Sequence, residues 1–347
     1  RARLGDRVGG AVGGPRTVNG AAPPIEVRGL VKRYGDITAV AGVDITVNAG
    51  DVYGYLGPNG AGKTTSLRMM LGLIRPSEGT VRLFGRDPVV SARALEGVAG
   101  FVEAPTFYPY LTARRNLELL AAYDGHHASE RIDASLAAVE LTHRAGDKVG
   151  GYSHGMRQRM GIAAALLRDP KLLLLDEPAT GLDPGGMRDM RRLVRRLADA
   201  GMTVLLSSHL LGEVEELCNR VAIVRAGTIV YEGEIAALKR GGAGTVYRLR
   251  TSDDARACNV CAAQPGVSAV RRVRGAIEFS AEEGAVGPLS AQLIGAGALI
   301  DELAPQTVTL EDLFFSLTEP GDPADPSRPA AAVPGEDPAR PALSRSR

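Results

Sequence analysis

The run Gly57-Pro58-Asn59-Gly60-Ala61-Gly62-Lys63-Thr64-Thr65 constrains this chain more than any other. A glycine, four residues, then Gly-Lys-Thr is the spacing of a loop that leaves a strand, wraps a phosphate and enters a helix. The neighbours agree with that order: residues 51–56 read as a buried strand and residues 65–71 as a helix. In such a turn the backbone N–H groups converge together with the positive end of the helix dipole. Gly57, Gly60 and Gly62 permit backbone angles and close approach that a side chain would forbid. Lys63 can reach β- and γ-phosphates, and the Thr64 hydroxyl can hold Mg2+.

A second stretch fits the first. Leu172-Leu173-Leu174-Leu175 precedes Asp176-Glu177-Pro178. Four leucines in a row describe a central parallel strand buried on both faces. The acids stand at its C-terminal end, where open α/β sheets bind ligands. Alone, the two carboxylates also suit a helix N-cap after a core strand. Beside a phosphate loop they read as a Walker-B pair, with Asp176 holding Mg2+ through water and Glu177 polarising the attacking water. Residues 203–208 form another buried strand, and His209 at its end falls on the same rim as Asp176.

Size and composition remove other classes. The 347 residues, 44% hydrophobic, can build one large domain and a smaller one. A net charge of +1 and 4% aromatics offer neither a basic footprint nor stacking platforms, so no nucleic-acid partner is expected. No apolar run is long enough to span a bilayer, and the first 24 residues lack the apolar core of a secretory signal. Cys218, Cys258 and Cys261 point to a reducing compartment. The lone Cys258-x-x-Cys261 pair reads as small apolar residues on a helix, since no second pair or nearby His completes a zinc site. His126-His127 falls in a polar loop.

Residues 1–24 and 319–347 read as disordered tails, residues 25–240 as a nucleotide-binding domain, and residues 245–318 as a small α+β domain after a Gly-rich linker at 241–244. The small domain has the order β-α-β-β-α-β, that of a split βαβ fold, followed by a helix over residues 310–318. Strands are expected over 25–30 and 39–47, with a turn at 32–36 that carries Tyr34. Tyr34 suits either stacking on an adenine or an ordinary exposed turn.

Residues 152–159, Tyr-Ser-His-Gly-Met-Arg-Gln-Arg, narrow the class. They resemble the signature of ABC ATPases, usually Leu-Ser-Gly-Gly-Gln followed by Arg-Gln-Arg; Ser153, Gly155, Gln158 and Arg159 match. Gly181-Leu182-Asp183 and Ser208-His209 fall in the order of that family's D-loop and switch, and Tyr34 sits where it places its adenine-stacking aromatic. The resemblance covers about residues 25–240. It implies a P-loop NTPase fold: a RecA-like mixed sheet with an antiparallel β subdomain and a helical subdomain at about 104–168. It also implies head-to-tail dimers with two ATP molecules between the P-loop of one subunit and the signature of the other. Under that implication Gly57, Pro58, Asn59, Gly60, Ala61, Gly62, Lys63, Thr64 and Thr65 hold the phosphates. Ser153, Gly155, Met156 and Asp183 serve the opposite nucleotide, Glu177 is the general base or water-orienting group, and His209 contacts the γ-phosphate.

His154 replaces the first signature glycine, Met156 the glutamine, and Glu103 a loop glutamine that contacts Mg2+. As a hard oxygen donor, Glu103 can join Thr64 and Asp176 as a metal ligand. The run Glu103-Ala104-Pro105-Thr106-Phe107-Tyr108-Pro109-Tyr110-Leu111 is similar to bacitracin- and lantibiotic-type exporter ATPases, which carry Glu-x-Pro and then Tyr-Pro-x-Leu. The expected chain is the ATP-hydrolysing subunit of a bacterial exporter of drugs, peptide antibiotics or lipid-like cargo. It works on the cytoplasmic face of the membrane with a separate permease and a second ATP-binding subunit. The alternative is a soluble ABC-type ATPase acting on ribosomes or DNA. Against it stand the single P-loop and the absence of a long heptad insertion.

Overall fold

The structure, a computed structural model, describes residues 22–124, 126–240, 245–273, 275–282 and 284–305. The linker at 241–244, the helix expected over 310–318 and all but a few residues of the two expected tails lie outside that set. The chain divides into two compact units, residues 1–52 with 60–207, and residues 53–59 with 208–347.

In the first unit, β1 (Ile25–Tyr34) pairs antiparallel with β2 (Ile37–Val47) and β4 (Glu78–Leu83) in the order β2-β1-β4. Tyr34 belongs to β1 rather than to the broad turn expected at 32–36. It pairs with Ile37 across a two-residue turn, where Gly35 takes φ 56°. A hairpin this tight keeps its ladder to the last residue.

The second sheet region of this unit is parallel. β5 (Val98–Phe101) pairs with β6 (Leu172–Asp176), and β6 with β7 (Thr203–Ser208). Every residue of β6 and β7 is buried, which is why both read as unbroken apolar runs ending in polar residues. Their register sets Asp176 opposite Ser207.

The helices of this unit are α1 (Lys63–Met70), α2 (Ala113–Asp124), α3 (His126–Glu130), α4 (Ile132–Ala138), α5 (His154–Leu166) and α6 (Pro184–Asp199). The segment expected as a polar loop around His126 and His127 is the short α3, in which His127 Nδ1 lies 3.5 Å from Glu130 Oε2, one turn on. α5 and α6 begin on side-chain caps: Ser153 Oγ accepts from Met156 N, and Asp183 Oδ1 from Gly186 N, with Pro184 at the first helical position. Along α6, Met190, Leu193, Val194 and Leu197 make the buried stripe. α5 presses close at Gly161, where an added Cβ would meet Pro105 Cγ at 2.5 Å.

In the second unit β3 (Val52–Leu56) pairs parallel with β8 (Arg220–Arg225), and β8 antiparallel with β9 (Thr228–Glu234), giving the mixed pairing expected. α7 (Leu211–Leu217) lies against β3, and α8 (Ile235–Arg240) follows β9. Next come β10 (Thr245–Thr251), α9 (Asp254–Ala263), β11 (Val267–Val273), β12 (Ala276–Ala281), α10 (Val286–Gly295) and β13 (Ile300–Pro305). They form one antiparallel sheet in the order β11-β12-β10-β13. This is the split βαβ arrangement, because each helix carries the chain over one intervening strand. Leu249, Cys261, Ile277, Phe279, Leu289 and Leu293 fill its core. Cys261 therefore packs, and no cluster of three or more metal-ligating side chains exists among the described residues.

Candidate functional site

The strand β3, the loop and the helix α1 follow one another as the sequence requires, with α1 opening at Lys63. Gly60 and Gly62 take φ 82° and 98°, left-handed angles that favour glycine. At Gly62 an added Cβ would lie 2.4 Å from the Ala39 carbonyl oxygen, so no side chain fits the turn into α1. At the start of the loop, Gly57 N donates to Ser208 O at 3.3 Å, which sets the residue before His209 against the loop's first glycine.

Two pairs join α1 to the end of β6. Thr64 Oγ1 donates to Asp176 Oδ2 at 2.8 Å, and Lys63 Nζ lies 3.2 Å from Glu177 Oε1. Lys63 is 5% exposed, and the carboxylate supplies the compensating charge a buried ammonium needs. Asp176 is also held on its other oxygen by Ser207 Oγ, at 2.5 Å, and Glu177 N donates to the same hydroxyl oxygen at 3.0 Å. Glu177 itself takes φ 47°, a left-handed turn that ends the strand. Thr180 Oγ1 donates to Glu177 Oε2 at 2.8 Å, so both carboxylate oxygens are held. Ser207 and Thr180 were not singled out by sequence; the signals were a serine two residues before His209 and a threonine three residues after Glu177. The hydroxyl of Thr64 and the carboxylate of Asp176 are hard oxygen donors at one point, a set that suits Mg2+.

The other expected residues have the following surroundings, each within its own unit. Tyr34 is 48% exposed at the end of β1, with Lys32 Nζ 5.1 Å from its ring centroid. Ser208, buried before His209, accepts from Leu210 N and donates to the buried Glu213 at 2.8 Å, bracing the turn that carries the histidine. Glu103 takes φ 71° and its carboxylate is engaged by Arg68 of α1. The contact is to Oε1, so the second oxygen of the carboxylate is not taken by Arg68.

Ser153, His154, Gly155 and Met156 open α5 and line an open groove with Gly181, Leu182, Asp183 and Gly186. Asp183 lines it while capping α6. Tyr152 anchors the start of α5 by donating to Arg144 O at 2.7 Å; burial pushes its phenol above the ordinary range, so it stays a neutral donor. Beyond β5, the buried Asn116 holds the loop backbone, accepting from Tyr108 N at 2.9 Å and donating to Tyr108 O at 3.1 Å. Tyr108 and Tyr110 stand outward, 54% and 64% exposed.

Comparison with known proteins agrees with this geometry. Residues 40–180 match the family model described as ABC transporter. The ABC transporter ATP-binding protein YdbJ of Bacillus subtilis is 37% identical over 300 residues, 86% of this chain and 96% of the relative. The bacitracin transport ATP-binding protein BcrA of Enterococcus faecalis is 36% identical over 297 residues, 84% of this chain and 96% of the relative. A solved ATP-binding cassette of an ABC transporter, MJ1267 in its ADP conformation, superposes with TM-score 0.57 at 27% identity, covering 61% of this chain and 91% of that one. With a P-loop lysine paired to the carboxylate just beyond β6, and relatives matched over nearly their whole length, the chain belongs to the ATP-binding subunits of ABC transporters.

Proposed function

We propose that this chain is the ATP-hydrolysing subunit of an exporter whose cargo belongs with peptide antibiotics and drugs, and that a separate permease carries that cargo. The observation that carries the catalytic part is the meeting of Lys63 and Thr64 with Glu177 and Asp176. The loop amides of residues 57–62 and Lys63 bind the phosphates. Thr64 and Asp176 would hold Mg2+, which neutralises phosphate charge when bound. Glu177 accepts a hydrogen bond from water and aims its oxygen at the γ-phosphorus. As that oxygen bonds to phosphorus its proton passes to the Glu177 carboxylate, and the bond to the bridging oxygen breaks with its electron pair leaving on ADP. By the family resemblance His209 would contact the transferred group, and Tyr34, half exposed, would stack on the adenine. A second copy contributes Ser153 and Gly155 to the same nucleotide. Catalysis of this kind is positioning and charge stabilisation.

The export assignment rests on the near full-length likeness to a bacitracin transport subunit and on the Glu103-to-Leu111 loop. The exposed Tyr108 and Tyr110 rings, 5.8 Å apart, suit a contact that buries them against a membrane partner. None of the described helices is long and apolar enough to cross a membrane. The test is co-purification of the tagged subunit from detergent-solubilised membranes, then ATPase assay of the reconstituted complex. A polytopic protein in equal amount that raises ATP turnover supports the reading. Recovery with ribosomal proteins or nucleic acid instead overturns it.

A further inference from the structure

We propose that His154, which stands where the family resemblance puts a glycine, is a positioning residue tying the signature helix to the loop that orients Glu177. The inference rests on the reading of Glu177 as the group that orients water.

The geometry is a chain of contacts within one unit. His154 is the first residue of α5, directly after the Ser153 cap. Its Nε2 lies 3.1 Å from the carbonyl oxygen of Thr180. A carbonyl can only accept, so Nε2 carries the proton, which both the Nε2–H tautomer and the imidazolium allow. The next residue, Gly181, has φ 75°, and a Cβ there would sit 3.4 Å from His154 Nε2, so the imidazole lies directly against this backbone. The hydroxyl of Thr180 donates to Glu177 Oε2 at 2.8 Å. One residue thus receives a hydrogen bond from the signature helix through its carbonyl and gives one to Glu177 through its side chain.

Nucleotide phosphates compete with Glu177 for Lys63, because both are anions and Lys63 is the loop's cation. When phosphate draws Lys63 away, orientation of the carboxylate falls more heavily on Thr180, and His154 fixes where Thr180 stands. A glycine at 154 could not make this bond. The signature segment, expected to touch the opposite nucleotide, is thereby linked to water activation in its own subunit.

The test is steady-state ATP hydrolysis and nucleotide binding by the full chain carrying His154→Leu, His154→Gln and Thr180→Val, with thermal melting to verify folding. His154→Leu should lower kcat about tenfold to a hundredfold with KM for ATP within about twofold, since only orientation is lost. His154→Gln, which keeps a donor, should recover most of the rate. In the Thr180→Val background, His154→Leu should have no further effect, because the link to Glu177 is already cut. The inference is overturned if His154→Leu and His154→Gln are equally slow, if both turn over normally, or if the two losses add. If His154→Leu fails to fold, Thr180→Val with unchanged kcat is sufficient to overturn it. Failure of the Glu177 reading is separate: Glu177→Gln would then hydrolyse ATP normally, whatever the histidine variants do.

Discussion

Lys63 Nζ and Glu177 Oε1 stand 3.2 Å apart, with the lysine almost fully buried. The two residues are 114 positions apart in sequence, and they bring the phosphate loop and the end of β6 into one electrostatic unit. The lysine is the buried partner, and the half-buried carboxylate supplies the charge that balances it.

Glu177→Gln keeps the shape and the hydrogen-bond acceptor of the side chain but loses the charge that draws water. Nucleotide affinity should be kept or raised, because the competing anion beside Lys63 is gone. Turnover should fall at least about a hundredfold, in line with removal of a group that assists proton movement. Parallel nucleotide-binding and phosphate-release assays check both halves.

Lys63→Ala removes a charge-assisted contact to phosphate and leaves Glu177 without this cation. A charged hydrogen bond contributes about 1.5–3 kcal/mol, so ATP affinity should fall about tenfold or more. Equilibrium binding of a fluorescent nucleotide measures it.

Gly161→Val sets a branched side chain where even a Cβ meets Pro105 Cγ at 2.5 Å and Phe101 Cε1 at 3.2 Å. Overpacking of this kind costs about 1–3 kcal/mol. The helix should stay helical, and the thermal midpoint should fall by several degrees, by about 2–4 °C per kcal/mol for a domain of this size. An unchanged midpoint would show that the loop at Pro105 yields freely.

The cysteines should react in a fixed order. Burial pushes the Cys261 thiol up to about 11 and raises the Cys218 thiol as well. At pH 8 about one Cys261 in a thousand is thiolate, so a thiol reagent should modify the half-buried Cys258 first. Raising the pH toward 11 should speed Cys261 labelling in step with its ionisation. Mass spectrometry of the peptides reads the order, and denaturation should release all three.

The elements that carry the candidate site were legible because they are local. The P-loop spacing and the four leucines before Asp176 each follow from neighbours a few residues away. The C-terminal order β-α-β-β-α-β was equally legible, since alternation and helical period report on single elements. Less legible were features fixed by partners distant in sequence. Tyr34 reads as a turn residue until β1 and β2 pair to their last positions. The sequence offers Glu103 as an oxygen donor but gives no sign of the Arg68 that sits on one of its oxygens. The segment at His126 reads as polar and irregular, yet it closes a short helix.

The sequence by itself therefore determined the class of machine: a phosphate loop between strand and helix, a buried acidic strand end, a signature segment and their order along the chain. Those are short-range patterns, and backbone geometry leaves them few solutions. The tertiary structure alone decided which side chains hold one another: Lys63 with Glu177, Thr64 with Asp176, Ser207 beneath both acids, and His154 against Thr180. Such pairs join loops separated by tens to more than a hundred residues, and they exist only after the strands have taken their register. Hydrogen bonds act over about 3 Å, a distance that no spacing along a chain encodes.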